Sequence, residues 1–153
     1  MNVGTIETAR AADSDELADL HRRSSLVHEE TREILLARPD LFGVSMAALE
    51  AGLVRVVRHD GRILGFATLL PAANGTGELE DIFVDPDHMR RGIGRALMAD
   101  VVARARTQGI RRIEVDANPG ALSFYESAGF AMMGRKQMEF GFAWRLGLDV
   151  SRD

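Results

Sequence analysis

Apolar positions along this chain recur every two residues in some stretches and every three to four in others, the pattern of strands interleaved with helices. Val3 to Ala9 alternates loosely and predicts a first strand. Asp13, followed three residues later by Glu16, has the form of a capping box, and Leu17, Leu20, His21 and Ser24 continue at helical spacing. A helix is expected from about Ser14 to about Val27, and the charged run His28 to Arg38 either extends it or forms a second short helix before Pro39. Leu41 to Ala51 carries a further short helix, ended near Gly52. Two apolar runs, Leu53–Arg58 and Ile63–Leu70, flank His59-Asp60-Gly61-Arg62, and Asp-Gly supplies the positive φ angles of a type I′ hairpin turn. Pro71 and Asn74-Gly75-Thr76-Gly77 loop into a strand from Glu78 to Val84, closing an antiparallel meander of strands two to four.

Beyond Asp85-Pro86 the alanine- and leucine-rich run from Ala96 predicts a long helix ending near Gly109, followed by a strand over Arg112–Asp116. A helix crossing between these strands makes them a parallel pair, ending near Val84 and Asp116. Asn118-Pro119-Gly120 turns the chain, a short helix spans Ala121–Ala128 up to Gly129, and Phe130 to Leu148 reads as a closing strand pair. The sum is an α/β (α+β) fold: a mixed central sheet of six to seven strands with helices on both faces. No repeat, low-complexity tract or linker divides it, so residues 1–153 are expected to form a single domain.

Composition narrows the function. Hydrophobic residues make up 46% and charged residues 27%, close to globular averages. A formal net charge of −4 gives no overall basic surface for nucleic acid and favours a neutral or cationic small substrate. There is no cysteine, which removes disulfides, thiolate nucleophiles and cysteine-ligated zinc together. His21, His28, His59 and His88 lack metal-site spacing, so no metal is expected, although His88 lies close enough to Gly92-Ile93-Gly94 to graze a ligand bound there. No apolar window is long enough to cross a membrane and no leader pattern opens the chain, so no membrane association and a cytoplasmic location are expected.

The stretch Glu78-Leu79-Glu80-Asp81-Ile82-Phe83-Val84-Asp85-Pro86-Asp87-His88-Met89-Arg90-Arg91-Gly92-Ile93-Gly94-Arg95 joins a strand, a glycine loop and a helix start. The first N–H groups of a helix lack intrahelical partners and carry partial positive charge, so they attract phosphate. Gly92 and Gly94 let a ligand approach the main chain and permit unusual backbone angles, while Arg90, Arg91 and Arg95 add charge around the same point. Spacing disfavours two named alternatives: Leu97 occupies the third position of a dinucleotide-binding glycine fingerprint, and no P-loop string is present.

At these residues the chain resembles the GNAT superfamily of N-acyltransferases, whose pyrophosphate loop reads Gln/Arg-x-x-Gly-x-Gly/Ala. Met89-Arg90-Arg91-Gly92-Ile93-Gly94 fits it from the fourth position onward, with Met89 standing where the family has Gln or Arg. Asn118, then Phe124-Tyr125 and Gly129-Phe130, resemble the family's second signature, and the likeness spans roughly Arg55 to Phe130. The resemblance implies acetyl-CoA as co-substrate, held by Ile82, Phe83, Val84, Met89, Arg90, Arg91, Gly92, Ile93, Gly94, Arg95, Asn118, Phe124 and Tyr125. It also implies a primary amine of a small molecule or peptide as acceptor, a helical wall after the first strand where Glu29, Glu30 and Glu33 either steer that amine or form a solvated helical face, and a monomer or homodimer.

A thioester is already activated, so a neutral amine held against its carbonyl attacks directly once a carboxylate accepts its proton. By the two-residue period Glu78, Glu80, Ile82 and Val84 share one strand face and Asp81 points to the other. The positions of Glu80 and Glu78 both match places where the family puts acid-base groups, and Glu80-Asp81 resembles the carboxylate pair of polyamine acetyltransferases; Glu80 is favoured as base, with Glu78 second. A main-chain N–H near Phe83 or Val84 would meet the developing oxyanion. Tyr125 is the only tyrosine, and by resemblance its phenol, of pKa about 10, protonates the departing thiolate. Read from the residues alone, the carboxylates equally solvate a strand edge, Tyr125 packs its ring and Asn118 makes an Asx turn. The competing class is a non-catalytic acyl-CoA-binding sensor of the same fold.

Overall fold

The alternating runs of the sequence become seven strands, in the order β1 (Thr5–Thr8), β2 (Val54–His59), β3 (Arg62–Pro71), β4 (Thr76–Val84), β5 (Arg112–Ala117), β7 (Phe142–Asp149) and β6 (Ala131–Gln137) in one sheet. The structure is a computed structural model and describes residues 4–25, 37, 42–138 and 141–151. The chain packs as two compact units, Met1–Thr68 with Asp81–Leu97 and Leu69–Glu80 with Met98–Asp153, so β3, β4 and the long helix each contribute to both.

The first unit holds β1 (Thr5–Thr8), α1 (Ser14–Ser25), α2 (Met46–Glu50), β2 (Val54–His59), most of β3 (Arg62–Pro71), the end of β4 (Thr76–Val84) and the start of α3 (Ile93–Thr107). The β2–β3 hairpin turns where Asp-Gly predicts, with Asp60 at φ 50° and Gly61 at φ 79°, both in the left-handed region a type I′ turn requires. Leu17 and Leu20 lie on one face of α1 and are fully buried with Val54, Val56, Ile63 and Phe66. Each such leucine is worth roughly 1.5–3 kcal/mol of apolar burial. His21 sits edge-on to Phe42 and Phe66 and tilted against Phe83 at 4.4 Å, and its Nδ1 accepts the Gly43 N–H. Ser45 caps α2 by accepting the Ala48 N–H.

One local expectation fails. Glu16 does not reach back to form a capping box; its Oε2 accepts the Ile63 N–H at 2.7 Å, while the Asp13 N–H goes to Arg10 O. Asp13 accepts instead from Arg10 N–H and from Arg58. The donor left open at the start of β3 is a better partner for Glu16 than an N–H already bonded within the preceding turn. The charged run His28–Arg38, with Glu29, Glu30 and Glu33, lies outside the described residues apart from Ala37.

The second unit holds the start of β4, the remainder of α3, β5 (Arg112–Ala117), α4 (Leu122–Ser127), β6 (Ala131–Gln137) and β7 (Phe142–Asp149). Thr76, Gly77 and Glu78 pair in parallel with Arg112, Ile113 and Glu114, and the ladder stops there although both strands continue. β5 pairs antiparallel with β7, and β7 with β6. Along β5, Ile113, Val115 and Ala117 are buried and alternate with Arg112, Glu114 and Asp116, which puts every charge of this strand on one face.

In the first unit α3 begins hard against the sheet. A Cβ added at Gly65 of β3 would lie 3.0 Å from Ile93 Cγ2, 3.0 Å from Leu97 Cδ1 and 3.1 Å from Phe83 O. Gly65→Ala is therefore expected to cost about 1–3 kcal/mol in urea unfolding, the range for overpacking a well-filled site. Unchanged stability would show that the first turn of α3 has room to withdraw.

Candidate active site

The loop between β4 and α3 carries the sequence signal for phosphate, and its backbone is unusual. Arg90 has φ 63° and Gly92 φ 83°, so the chain passes twice through the left-handed region within Met89–Gly92. Glycine takes this conformation freely, but for Arg90 it costs about 1 kcal/mol. Gly94 lies inside α3 with no positive φ, so it contributes no unusual backbone angle, only the absence of a side chain. The first intrahelical bond of α3 runs from Ala96 N–H to Gly92 O. The N–H groups of Ile93, Gly94 and Arg95 thus have no intrahelical acceptor, and Gly92 has no side chain to cap them. Arg90, Arg91 and Arg95 are exposed, and none forms an ion pair with a described residue. Met89 is 58% exposed at the loop entrance.

Upstream on β4, Phe83 packs against His21 and Phe66, while Ile82 and Val84 are half-buried and Val84 O accepts the Ser24 hydroxyl. Glu78 and Glu80 differ sharply. Glu80 is exposed and makes no hydrogen bond or ion pair with a described residue. Glu78 is held by both oxygens: Arg145 NH1 donates to Oε2 and NH2 to Oε1, each at 2.7 Å.

Arg145 is the group that sequence reasoning missed. It also donates to Asp116 Oδ1 and Glu114 Oε1, each at 2.8 Å, so one guanidinium on β7 gathers carboxylates from β4 and β5. Lys136 on β6 bonds the other Asp116 oxygen at 2.9 Å, and Arg112 bonds the other Glu114 oxygen at 3.1 Å. Hydrogen bonding to Glu78, helped by Asp116 and Glu114 and opposed by burial, holds the Arg145 pKa above its ordinary value. Burial pushes the Asp116 carboxyl up, but the bonds from Lys136 and Arg145 outweigh it and leave the carboxyl below its usual value. The available clue was the charged period-two face Arg112, Glu114, Asp116, which needed a cation from a neighbouring strand.

In the second signature, Asn118 Oδ1 accepts the Gly120 N–H at 2.9 Å, an Asx turn that leaves its NH2 without a described partner. Tyr125 is 7% exposed, with its ring edge-on to Phe124 at 5.2 Å and to Phe130 at 5.5 Å. The ring therefore packs, whatever its hydroxyl does. Among the described residues no group of His, Asp or Glu is arranged to hold a metal, and no helix is long and apolar enough to cross a membrane.

The Arg145 lattice makes a stability prediction with a definite sign. Asp116 has a folded pKa below its unfolded one, so the unfolded state binds more protons and stability rises with pH through the carboxylate range. This stabilisation is complete above the unfolded value, about 3.9, and is lost as pH falls through the folded one. Arg145→Met leaves three carboxylates facing one another and should cost roughly 2–3 kcal/mol at pH 7. Chemical denaturation should show that cost shrinking below about pH 4; a pH-independent cost would mean that Arg145 contributes by packing alone.

Comparison with known proteins agrees with these motifs. A model of the acetyltransferase (GNAT) family matches residues 14–130, reaching well upstream of the signatures. The glucosamine 6-phosphate N-acetyltransferase of Trypanosoma brucei brucei is 33% identical over 129 residues, covering 75% of this chain and 88% of that protein. The mycothiol acetyltransferase of Kineococcus radiotolerans is 35% identical over 88 residues, which is 56% of this chain and 29% of that larger protein. The fold matches the crystal structure of the PaiA N-acetyltransferase of Thermoplasma acidophilum in complex with coenzyme A, with TM-score 0.77 and 17% identity over 95% of this chain and 98% of that one. With the family match extending over most of its length, the chain belongs to the GNAT family and is an acetyltransferase.

Proposed function

We propose that this acetyltransferase moves the acetyl group of acetyl-CoA to a primary amine by direct attack, with Glu80 as base and Tyr125 as acid. The observation that carries the reading is the state of the loop: uncapped N–H groups at Ile93, Gly94 and Arg95 beside Arg90, Arg91 and Arg95, which have no described carboxylate partner. Those donors fit a pyrophosphate in number and sign. Met89, at the loop entrance, supplies no polar contact, so the main chain and the arginines carry the binding. When bound, acetyl-CoA supplies an activated thioester carbonyl.

The remaining work belongs to the chain. Ile82, Phe83 and Val84 line the acyl arm along β4, and a main-chain N–H of Phe83 or Val84 meets the carbonyl oxygen as it gains charge. Glu80 takes the proton from the attacking amine, directly or through water. Glu78 is the poorer candidate because both of its oxygens are held by Arg145. Asn118 contributes its NH2 to the pantetheine arm, and Phe124 borders it. The Tyr125 hydroxyl gives its proton to the thiolate as the carbon–sulfur bond breaks, leaving CoA thiol and an amide. The named substrate of the trypanosome relative is an amino sugar phosphate, which supports a small-molecule acceptor for this chain.

Release of CoA thiol across a panel of primary amines tests the reading. Glu80→Gln should lower turnover about 10²-fold or more at neutral pH and lose less at high pH, where free amine needs no base. Glu78→Gln should have the smaller effect. Tyr125→Phe keeps the ring packing, so acetyl-CoA affinity should hold while turnover falls. Binding of acetyl-CoA without thiol release for any amine would identify a sensor and overturn the enzymatic part.

A further inference from the structure

The side chain of Asp85 is fully buried and takes part in none of the catalytic steps. It closes β4, and the strand is fastened there by its own N–H, which bonds Leu64 O at 2.8 Å. Its carboxylate gathers groups from three other places in the first unit. Oδ2 accepts from Arg23 of α1 at 3.0 Å and lies 3.7 Å from Arg62 at the start of β3. Oδ1 accepts the Asp87 N–H at 2.9 Å, which fixes the 3-10 turn Pro86–His88. His88 Nδ1 is also buried, has no hydrogen-bond partner among the described residues and lies 3.5 Å from the same Oδ1.

Burying a carboxylate is costly unless it is paired, and a surface residue would end the strand equally well. The neighbouring loop gives the burial a use. Immediately beyond the fixed turn come Met89–Gly92, with Arg90 and Gly92 both left-handed, and then Ile93, which is 2% exposed and seated over Gly65. A strained backbone persists only where its surroundings over-determine it. Here the loop hangs between two fixed ends, Asp85 on one side and Ile93 with Leu97 on the other.

We propose that Asp85 is a positioning residue for the pyrophosphate loop: through Arg23, Arg62 and the Asp87 N–H it fixes the loop's first end, holding Arg90 left-handed and the loop's donors in place before ligand arrives. Arg23 and Arg62 bring α1 and β3 into the same hold. Without it Arg90 relaxes to the right-handed region, and acetyl-CoA must reorder the loop on binding, at the expense of affinity. This rests on the proposed acetyl-CoA site.

The test is acetyl-CoA affinity by calorimetry, at a temperature well below each variant's melting point, with steady-state kinetics alongside. Asp85→Asn keeps size and an acceptor for Asp87 but loses the charge that holds Arg23. Its dissociation constant and KM for acetyl-CoA should rise about tenfold, while kcat at saturating acetyl-CoA and KM for the amine stay within about twofold. Arg23→Met should weaken acetyl-CoA in the same way, and Arg23→Lys should restore most of the affinity. Should Asp85→Asn fail to fold, Arg23→Met and Arg23→Lys decide the matter. Wild-type affinity in the folded variants, or an equal loss in kcat and in both KM values, overturns the role of Asp85. Absence of acetyl-CoA binding in the wild type overturns the acetyl-CoA site itself.

Discussion

The conformation on which the candidate site depends is the turn from β4 into α3, where the backbone is left-handed at Arg90 and again at Gly92. That turn ends a strand and starts a helix within a few residues, and among the described residues no side chain caps the helix N-terminus. Gly65 makes it possible from below, because any side chain there would push against Ile93 and Leu97. Elsewhere in the chain a helix start receives a cap, as Ser45 does for α2. At α3 no described side chain caps the donors, and the arginines around them find no described carboxylate. Such an arrangement favours an anion electrostatically.

The cluster of charges on β5 and β7 in the second unit follows the opposite rule. Around Arg145 the carboxylates are paired, with Arg145 between Glu78, Glu114 and Asp116 and with Lys136 and Arg112 on the outer oxygens. The parallel ladder of β4 and β5 ends at Glu78 and Glu114, the residues that Arg145 joins by side chain. Arg145 thus extends by ion pairs what backbone hydrogen bonds discontinue. The arrangement also separates two carboxylates that the sequence presents as equals: Glu78 is held by Arg145, and Glu80, two residues on, is left exposed.

Much of the fold was legible because its signals are local. Asp60-Gly61 names its own turn, the period-two runs name the strands, and the glycine-arginine loop after an apolar strand names the helix start. Reading failed where a side chain chose a distant partner. Glu16 has the spacing of a capping residue but serves Ile63 across 47 positions in the sequence. Arg145 reaches Glu78 across 67 positions, and nothing in Trp144-Arg145-Leu146 announces it. Asp85 reads as a strand-ending aspartate before proline, and only the packed structure shows it buried against Arg23. Nor does any composition rule mark Arg90, a non-glycine residue, for a left-handed backbone. Long-range pairing and strain belong to the folded state, so the loop was visible in the sequence and its supports were not.

Thermal unfolding of wild type and Gly94→Glu, with and without acetyl-CoA, is the most direct test of the helix start as a phosphate site. At about one hundred times its dissociation constant the ligand should stabilise the wild type by about 2.7 kcal/mol, a rise of several degrees in Tm. Gly94→Glu places a carboxylate in the first turn of α3, and it should remain folded and show no rise. A wild-type curve that does not move at millimolar acetyl-CoA, or a rise that persists in Gly94→Glu, would contradict the claim that this helix start is the phosphate site.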